Sequence, residues 1–317
     1  MRSILFASLL FIFPLFSFAQ ISDLAETGSS IVLSPSYPSP NQTFSAELND
    51  YGGGAFGATI EWYYNDSRLE SALNQRSVSL TAPAAGETVR LRAVLTKPNG
   101  TSETISQTIT PYYLDIILEP QTHVPSFYKG RALPSVDSTV NATALVSTGE
   151  VLSTDYLYTW RVNDTVLQGG PLRGGNRIAF QMPLDSFSVL SVTVTTLNGT
   201  IIARRSISVP TVAPRLLFYE VSTLYGLLDT TLRSPLPFIA NSMTIRATPY
   251  YLDSEIFNNP DVATWNIDST LAQTGSNPYD ITLEKTGNNN QTELLFRVQS
   301  TTKFLQGAKE TLILDVI

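Results

Sequence analysis

Cysteine is absent from this 317-residue sequence, and histidine occurs once, as His123. The first absence removes disulfide frameworks, thiol catalysis and cysteine-ligated zinc. The second leaves a Ser-His-Asp mechanism one candidate base and leaves a tetrahedral metal site without a second imidazole. His123 stands in a stretch bounded by Pro120 and Pro125, and no G-x-S-x-G turn occurs in the chain, so it reads as a loop residue rather than a catalytic one. Charge is sparse as well: 20 basic against 27 acidic side chains, net −7, give no basic stripe to neutralise phosphates. Nucleic acid and anionic membrane surfaces are therefore excluded as default partners. No D-x-D-x-D-G loop is present; the best acidic cluster, Asp253 and Glu255 with Asp261, reads as a solvated loop, and no metal or other cofactor is expected.

Long apolar runs are missing too, except at the start. Met1-Arg2 is followed by the apolar block Ile4 to Phe16 and by Ser17-Phe18-Ala19, the layout of a secretory signal peptide over residues 1–19. The block is short for a membrane span of about 20 residues. Cleavage after Ala19 then leaves an exported chain that does not insert into a membrane, in an extracellular, cell-surface or periplasmic setting.

What the sequence does contain is a repeat. Three tryptophans sit in matching contexts, Glu61-Trp62-Tyr63-Tyr64-Asn65-Asp66, Thr159-Trp160-Arg161-Val162-Asn163-Asp164 and Thr264-Trp265-Asn266-Ile267-Asp268-Ser269. Each alternates apolar and polar positions and then breaks at Asn or Asp, the pattern of a half-buried strand entering a hairpin. Alternating runs begin 18, 20 and 22 residues upstream, at Phe44, Val140 and Met243. Two further runs follow each tryptophan, then a turn, Asn99-Gly100 and Asn198-Gly199 in the first two copies, and a last strand. Asn-Gly supports positive φ in a tight hairpin. The distance from tryptophan to the last strand is nearly constant, 48, 49 and 49 residues to Thr110, Val209 and Leu314.

That spacing predicts an all-β chain: three tandem immunoglobulin-like β-sandwich modules of roughly 100 residues after the signal peptide, each with a tryptophan in its core. The boundaries fall at 20–113, 114–213 and 214–317, with short proline-bearing junctions at Pro111 and at Pro210 to Pro214 that read as stiff spacers. Asn65-Asp66, Asn163-Asp164 and Asp268 are expected to cap the turn after the tryptophan strand. Strands such as Tyr158-Thr159-Trp160-Arg161-Val162-Asn163 resemble those of immunoglobulin-like and polycystic-kidney-disease-like repeats of bacterial surface proteins. The sequence departs from the antibody pattern in lacking the cysteine pair, and from the polycystic pattern in lacking an Asp-Gly turn after the tryptophan. The resemblance implies spacer or adhesive modules, not an enzyme, with a protein or glycan of the cell envelope or extracellular space as partner. Tyrosine pairs add one candidate surface. Alternation turns one member of Tyr63-Tyr64, Tyr112-Tyr113 and Tyr250-Tyr251 outward, and Tyr63, Tyr113 and Tyr251 are the expected binding residues, with carbohydrate stacking as the alternative function.

Overall fold

The computed structural model describes residues 28–50, 55–147, 155–285 and 291–317. The signal-peptide reading and Gly52-Gly53-Gly54 lie outside the described residues. Strands dominate, and no helix among the described residues is long and apolar enough to cross a membrane.

The first group of strands is β1 (Ser29–Ser34), β2 (Thr43–Asp50), β3 (Thr59–Tyr64), β4 (Ser67–Arg68), β5 (Ser77–Thr81), β6 (Val89–Thr96) and β7 (Ser102–Ile109). They form sheets ordered β1-β2-β5 and β4-β3-β6-β7. The second group is β8 (Tyr113–Pro120), β9 (Thr139–Ser147), β10 (Leu157–Val162), β11 (Thr165–Val166), β12 (Leu172–Arg173), β13 (Arg177–Gln181), β14 (Phe187–Thr195) and β15 (Ile201–Pro210). Its sheets run β13-β9-β8 and β11-β10-β14-β15, with β12 also on β10. The third group is β16 (Arg215–Ser222), β17 (Gly226–Thr231), β18 (Leu236–Phe238), β19 (Ser242–Tyr250), α1 (Ser254–Asn258), β20 (Val262–Ile267), β21 (Thr270–Leu271), β22 (Asp280–Glu284), β23 (Gln291–Gln299) and β24 (Gly307–Val316). Its sheets run β17-β16-β19-β22 and β18-β24-β23-β20-β21, where β18 joins β24 in parallel. The architecture is that of all-β, immunoglobulin-like sandwiches.

By contact the chain divides into two compact units. One comprises Met1–Leu33, Ser45–Ser79 and Arg90–Gln107, and holds the first tryptophan; Trp62, Leu91, Ala93 and Leu95 in it are fully buried. The other comprises Ser34–Phe44, Leu80–Val89 and Thr108–Ile317, and contains two sandwich cores. The alternating runs supply both. Val140, Ala142, Tyr158, Trp160, Leu190, Val192 and Val194 close the core of the second group, and Ile245, Ala247, Trp265, Leu294, Phe296 and Leu312 that of the third. In the latter Trp265 packs 4.6 Å from Phe296, centroid to centroid.

Around each tryptophan the same local structure recurs. The indole Nε1 donates to a backbone carbonyl, Gln75 at 2.8 Å, Gly175 at 2.8 Å and Pro278 at 3.1 Å. The two residues that follow the strand take left-handed backbone, with φ of 48° and 64° at Asn65-Asp66, 46° and 64° at Asn163-Asp164, and 46° and 68° at Asp268-Ser269. Positive φ at both positions is the two-residue hairpin that matches strand twist, and Asn and Asp tolerate it. Their side chains, expected to cap the turn itself, bond beyond it instead. Asn65, Asn163 and Asp268 accept from Arg90, Val189 and Glu293 backbone N–H at 3.1, 2.9 and 2.8 Å, which hooks the turn onto the next strand of the sheet. At Asn99-Gly100 and Asn198-Gly199 the expected tight turn is replaced: only the glycines, at φ 82° and 84°, are left-handed. Lys97 and Thr196 bond across three loop residues to Thr101 and Thr200, so the asparagine stays in ordinary backbone and the glycine alone carries the strain-free bend.

Candidate functional site

The densest polar construction outside the cores lies within the second unit, where residues 121–139 of the second group meet residues 249–257 and 303–306 of the third. The first element is the long connection between β8 and β9. Its start pairs antiparallel with the segment that follows β19: His123 N–H donates to Leu252 O at 2.7 Å, Tyr251 N–H to His123 O at 2.8 Å, and Ser254 N–H to Gln121 O at 2.9 Å.

Asp253, 1% exposed, is the hub. One carboxylate oxygen accepts from Glu255 N–H at 2.9 Å and so caps α1; the other accepts from Thr139 N–H at 2.9 Å and from Lys303 Nζ at 3.2 Å. The solvated loop expected for Asp253 is therefore wrong. A buried carboxylate must be paired and hydrogen-bonded, and here the second sandwich's own backbone supplies part of that pairing. Gln306, fully buried, completes the network: its amide nitrogen donates to Ser135 Oγ at 2.8 Å and Val136 O at 2.5 Å, while its amide oxygen accepts from Asp253 N–H at 2.8 Å. Asp261, by contrast, accepts from Thr301 and Ser300 near the surface, and those bonds hold its carboxyl below the usual range. Among the described residues no group of three His, Asp or Glu side chains stands where it would hold a metal ion.

Beside this network lies an aromatic layer. In the sheet β17-β16-β19-β22 the register sets Tyr219 opposite Arg246 and Leu217 opposite Thr248, on the face turned away from the Trp265 core. An antiparallel sheet usually leaves that face to water. Here Tyr219 and Tyr250 are buried under Val124, Phe127, Tyr128 and Leu133 of the second group, and Thr248 is buried as well. Tyr219 and Tyr250 share a hydroxyl hydrogen bond at 2.5 Å, and Phe127 meets Tyr219 edge-on at 5.2 Å.

His123 is part of the same surface. Its ring stacks on Phe257 at 3.5 Å, and its Nδ1 lies 2.5 Å from Pro249 O. A carbonyl only accepts, so Nδ1 carries the proton. Burial lowers the imidazole's proton affinity, and the Pro249 bond offsets that in part. His123 is a loop residue, as expected, but a structurally committed one.

The three expected binding tyrosines lie on different elements. Tyr63 on β3 is half-buried: its hydroxyl donates to Glu61 at 3.0 Å, which raises its pKa, and the Arg92 guanidinium sits 4.4 Å above the ring. One face of Tyr63 is thus already covered. Tyr113 opens β8 and is 50% exposed. Tyr251 is 6% exposed, so its expected outward position is corrected. The reason is backbone: β19 ends at Tyr250, Tyr251 turns left-handed at φ 62°, and both rings fall under the second group, with the Tyr251 hydroxyl 2.8 Å from that of Tyr128.

No family model matches the chain, and no curated protein matches it. Solved structures do match, at low identity. Clostridium thermocellum CbhA fibronectin(III)-like modules are 15% identical, covering 58% of this chain and 93% of theirs at a TM-score of 0.29. Three N-terminal domains of the bacteriophage RB49 outer capsid protein Hoc are 12% identical, covering 92% and 99% at 0.25. A Bacteroides ovatus protein, SGBP-B, solved with a mixed-linkage heptasaccharide, is 11% identical, covering 91% and 70% at 0.24.

Proposed function

We propose that this chain is an exported, non-enzymatic structural or adhesive protein. On this reading modules 20–113, 114–213 and 214–317 follow a cleaved signal peptide, and the chain presents a surface to a protein or glycan of the cell envelope or extracellular space. The bacterial surface repeats resembled by the tryptophan strands, the polycystic-kidney-disease-like ones included, are the frame for that reading.

The observation that carries it is the junction. Asp253 and Gln306 are buried polar groups whose partners, Thr139, Ser135 and Val136, belong to the other sandwich. Satisfying them needs both sandwiches in one arrangement, which is what a part that holds or transmits a position requires. A chain of freely hinged modules would leave such surfaces to water.

The test is made in the host that encodes the chain. A tagged copy should fractionate with the envelope or medium and cross-link in intact cells to a reproducible protein or glycan. Asp253→Ala should weaken that cross-link while export continues. Retention of the chain in the cytosol, or turnover of a substrate by it, would contradict the reading.

A further inference from the structure

In the sheet β18-β24-β23-β20-β21 the register of the β23–β24 hairpin sets Arg297 directly opposite Lys309. Both are exposed, on the face turned away from Trp265, since Phe296 and Val298 on either side of Arg297 are buried in the core. Side chains directly opposite on one face stand about 5 Å apart at Cβ, and like charges there repel. Left unanswered, the pair destabilises the sheet.

Nothing around it supplies the opposite charge. The neighbouring pairs on the same face are Gln299–Gly307 and Leu295–Thr311, and Thr264 of β20 stands beside Arg297, so the surround is neutral. Glu310 alternates to the other face, and its carboxylate accepts from Thr311 N–H at 3.1 Å. Among the described residues neither Arg297 nor Lys309 forms an ion pair. Arg297 Nη2 instead donates to the Gln299 amide oxygen, which directs the guanidinium along β23 toward the hairpin loop.

There lies a cavity of about 380 Å³ whose wall includes Arg297, Gln299, Phe304, Gly307 and Lys309. Pockets for small ligands run from about 300 to 1,000 Å³. Gly307 has no side chain to fill the space, and a Cβ on it would meet Val298 O at 3.0 Å. Phe304 adds an aromatic ring that is 78% exposed. Its loop is braced: Ser300 N–H donates to Gln306 O and Gln306 N–H to Lys303 O, both at 2.9 Å, while Asp253 holds Lys303 Nζ at 3.2 Å.

Two cations select an anion, and an exposed aromatic face selects a ring that can lie on it. A sugar ring that carries a carboxylate has both features. An extended acidic peptide fits less well, because β23 and β24 are flanked by strands on both sides and leave no backbone edge to pair with.

We propose that this cavity binds an acidic sugar, its carboxylate between Arg297 and Lys309 and its ring against Phe304. The proposal rests on the reading of the chain as one that presents a surface to a glycan, and names the chemistry of that glycan.

The test is a titration of the full chain with trigalacturonic acid and with a hyaluronan tetrasaccharide, followed by saturation-transfer NMR. The methyl ester of trigalacturonic acid is the neutral control, and polyglutamate is the anion without a sugar. At least one acidic saccharide should bind saturably, about tenfold or more tighter than either control, and more weakly as sodium chloride rises from about 50 to 500 mM. Lys309→Gln should weaken binding about tenfold yet leave the melting temperature equal or higher, because it relieves a like-charge contact. Phe304→Ala, at an exposed position, should weaken binding about tenfold without unfolding the chain. No saturable binding by either acid, equal affinity for the ester or for polyglutamate, or unchanged affinity in both variants would overturn the proposal. A chain that binds neither acid but still cross-links to an envelope protein would overturn this site alone and leave the structural role standing.

Discussion

The tryptophan hairpins and the junction are both built from side-chain hydrogen bonds, yet one is written three times and the other once. Each hairpin ties a strand to its own sheet: the indole to a carbonyl 13 to 15 residues away, the Asn or Asp to the next strand 25 or 26 residues away. The junction joins Thr139 to Asp253 and Ser135 to Gln306 across 114 and 171 residues. The difference teaches where redundancy lies. Any sandwich of this chain has its own hairpin, whereas the arrangement of the second on the third depends on single residues that nothing repeats.

Substitutions test that contrast, beginning with the largest. Trp160→Ala should remove about 3–5 kcal/mol from the second sandwich, because its neighbours cannot refill an indole-sized space. A change below about 1 kcal/mol in urea unfolding would mean the indole does not fill the core. Asp253→Ala should cost about 2–3 kcal/mol, since it leaves Thr139 N–H and Lys303 without their carboxylate. Its signature should differ in kind: one cooperative transition of the second unit becomes two, while Trp160→Ala keeps the junction bonds. Gln306→Ala should cost about 2 kcal/mol by orphaning Asp253 N–H and Ser135, read by the same unfolding curves.

Smaller effects sharpen the repeated side. Asn163→Ala should cost about 1–2 kcal/mol, part from a left-handed backbone that alanine resists and part from the lost bond to Val189. Asn65→Ala and Asp268→Ala should match it, and a spread wider than about 1 kcal/mol among the three in thermal melts would break the equivalence. The smallest effect is titration. Because burial lowers the folded-state pKa of His123 below its ordinary value near 6.5, the unfolded chain takes up the proton first. The stability His123 contributes is complete above about pH 6.5 and is lost as the pH falls through its folded value. His123→Phe should flatten that part of the melting curve's pH dependence, and an unchanged slope would show that His123 is accessible to water.

Much of the fold could be read from the residues, because period two and recurring tryptophans are local signals. Phe44, Ala46 and Leu48, or Leu294, Phe296 and Val298, are buried as alternation requires. The junction could not be read the same way, since its partners are set by how one sandwich meets another. Its traces are departures from the repeat. The run Ala247 to Asp253 abandons alternation and is buried throughout. The third copy has no Asn-Gly turn before its last strand, and the loop in its place carries Lys303 and Gln306. Tyr251 shows the limit from the other side. Alternation placed it outward, but a single left-handed residue at the strand end sends it under Tyr128.

The central claim is that the second and third sandwiches form one unit through the Asp253–Gln306 network, and residue-resolved hydrogen exchange of the full chain tests it most directly. The backbone amides of Asp253, Thr139 and His123 donate to Gln306 Oε1, Asp253 Oδ2 and Leu252 O. If the account is right, they exchange as slowly as the amides of Trp160 and Trp265 and open only with the sandwiches themselves. Exchange at the rate of the exposed tip at Leu224 and Tyr225, with both tryptophan strands still protected, would show a hinge where a lock is described and would contradict it.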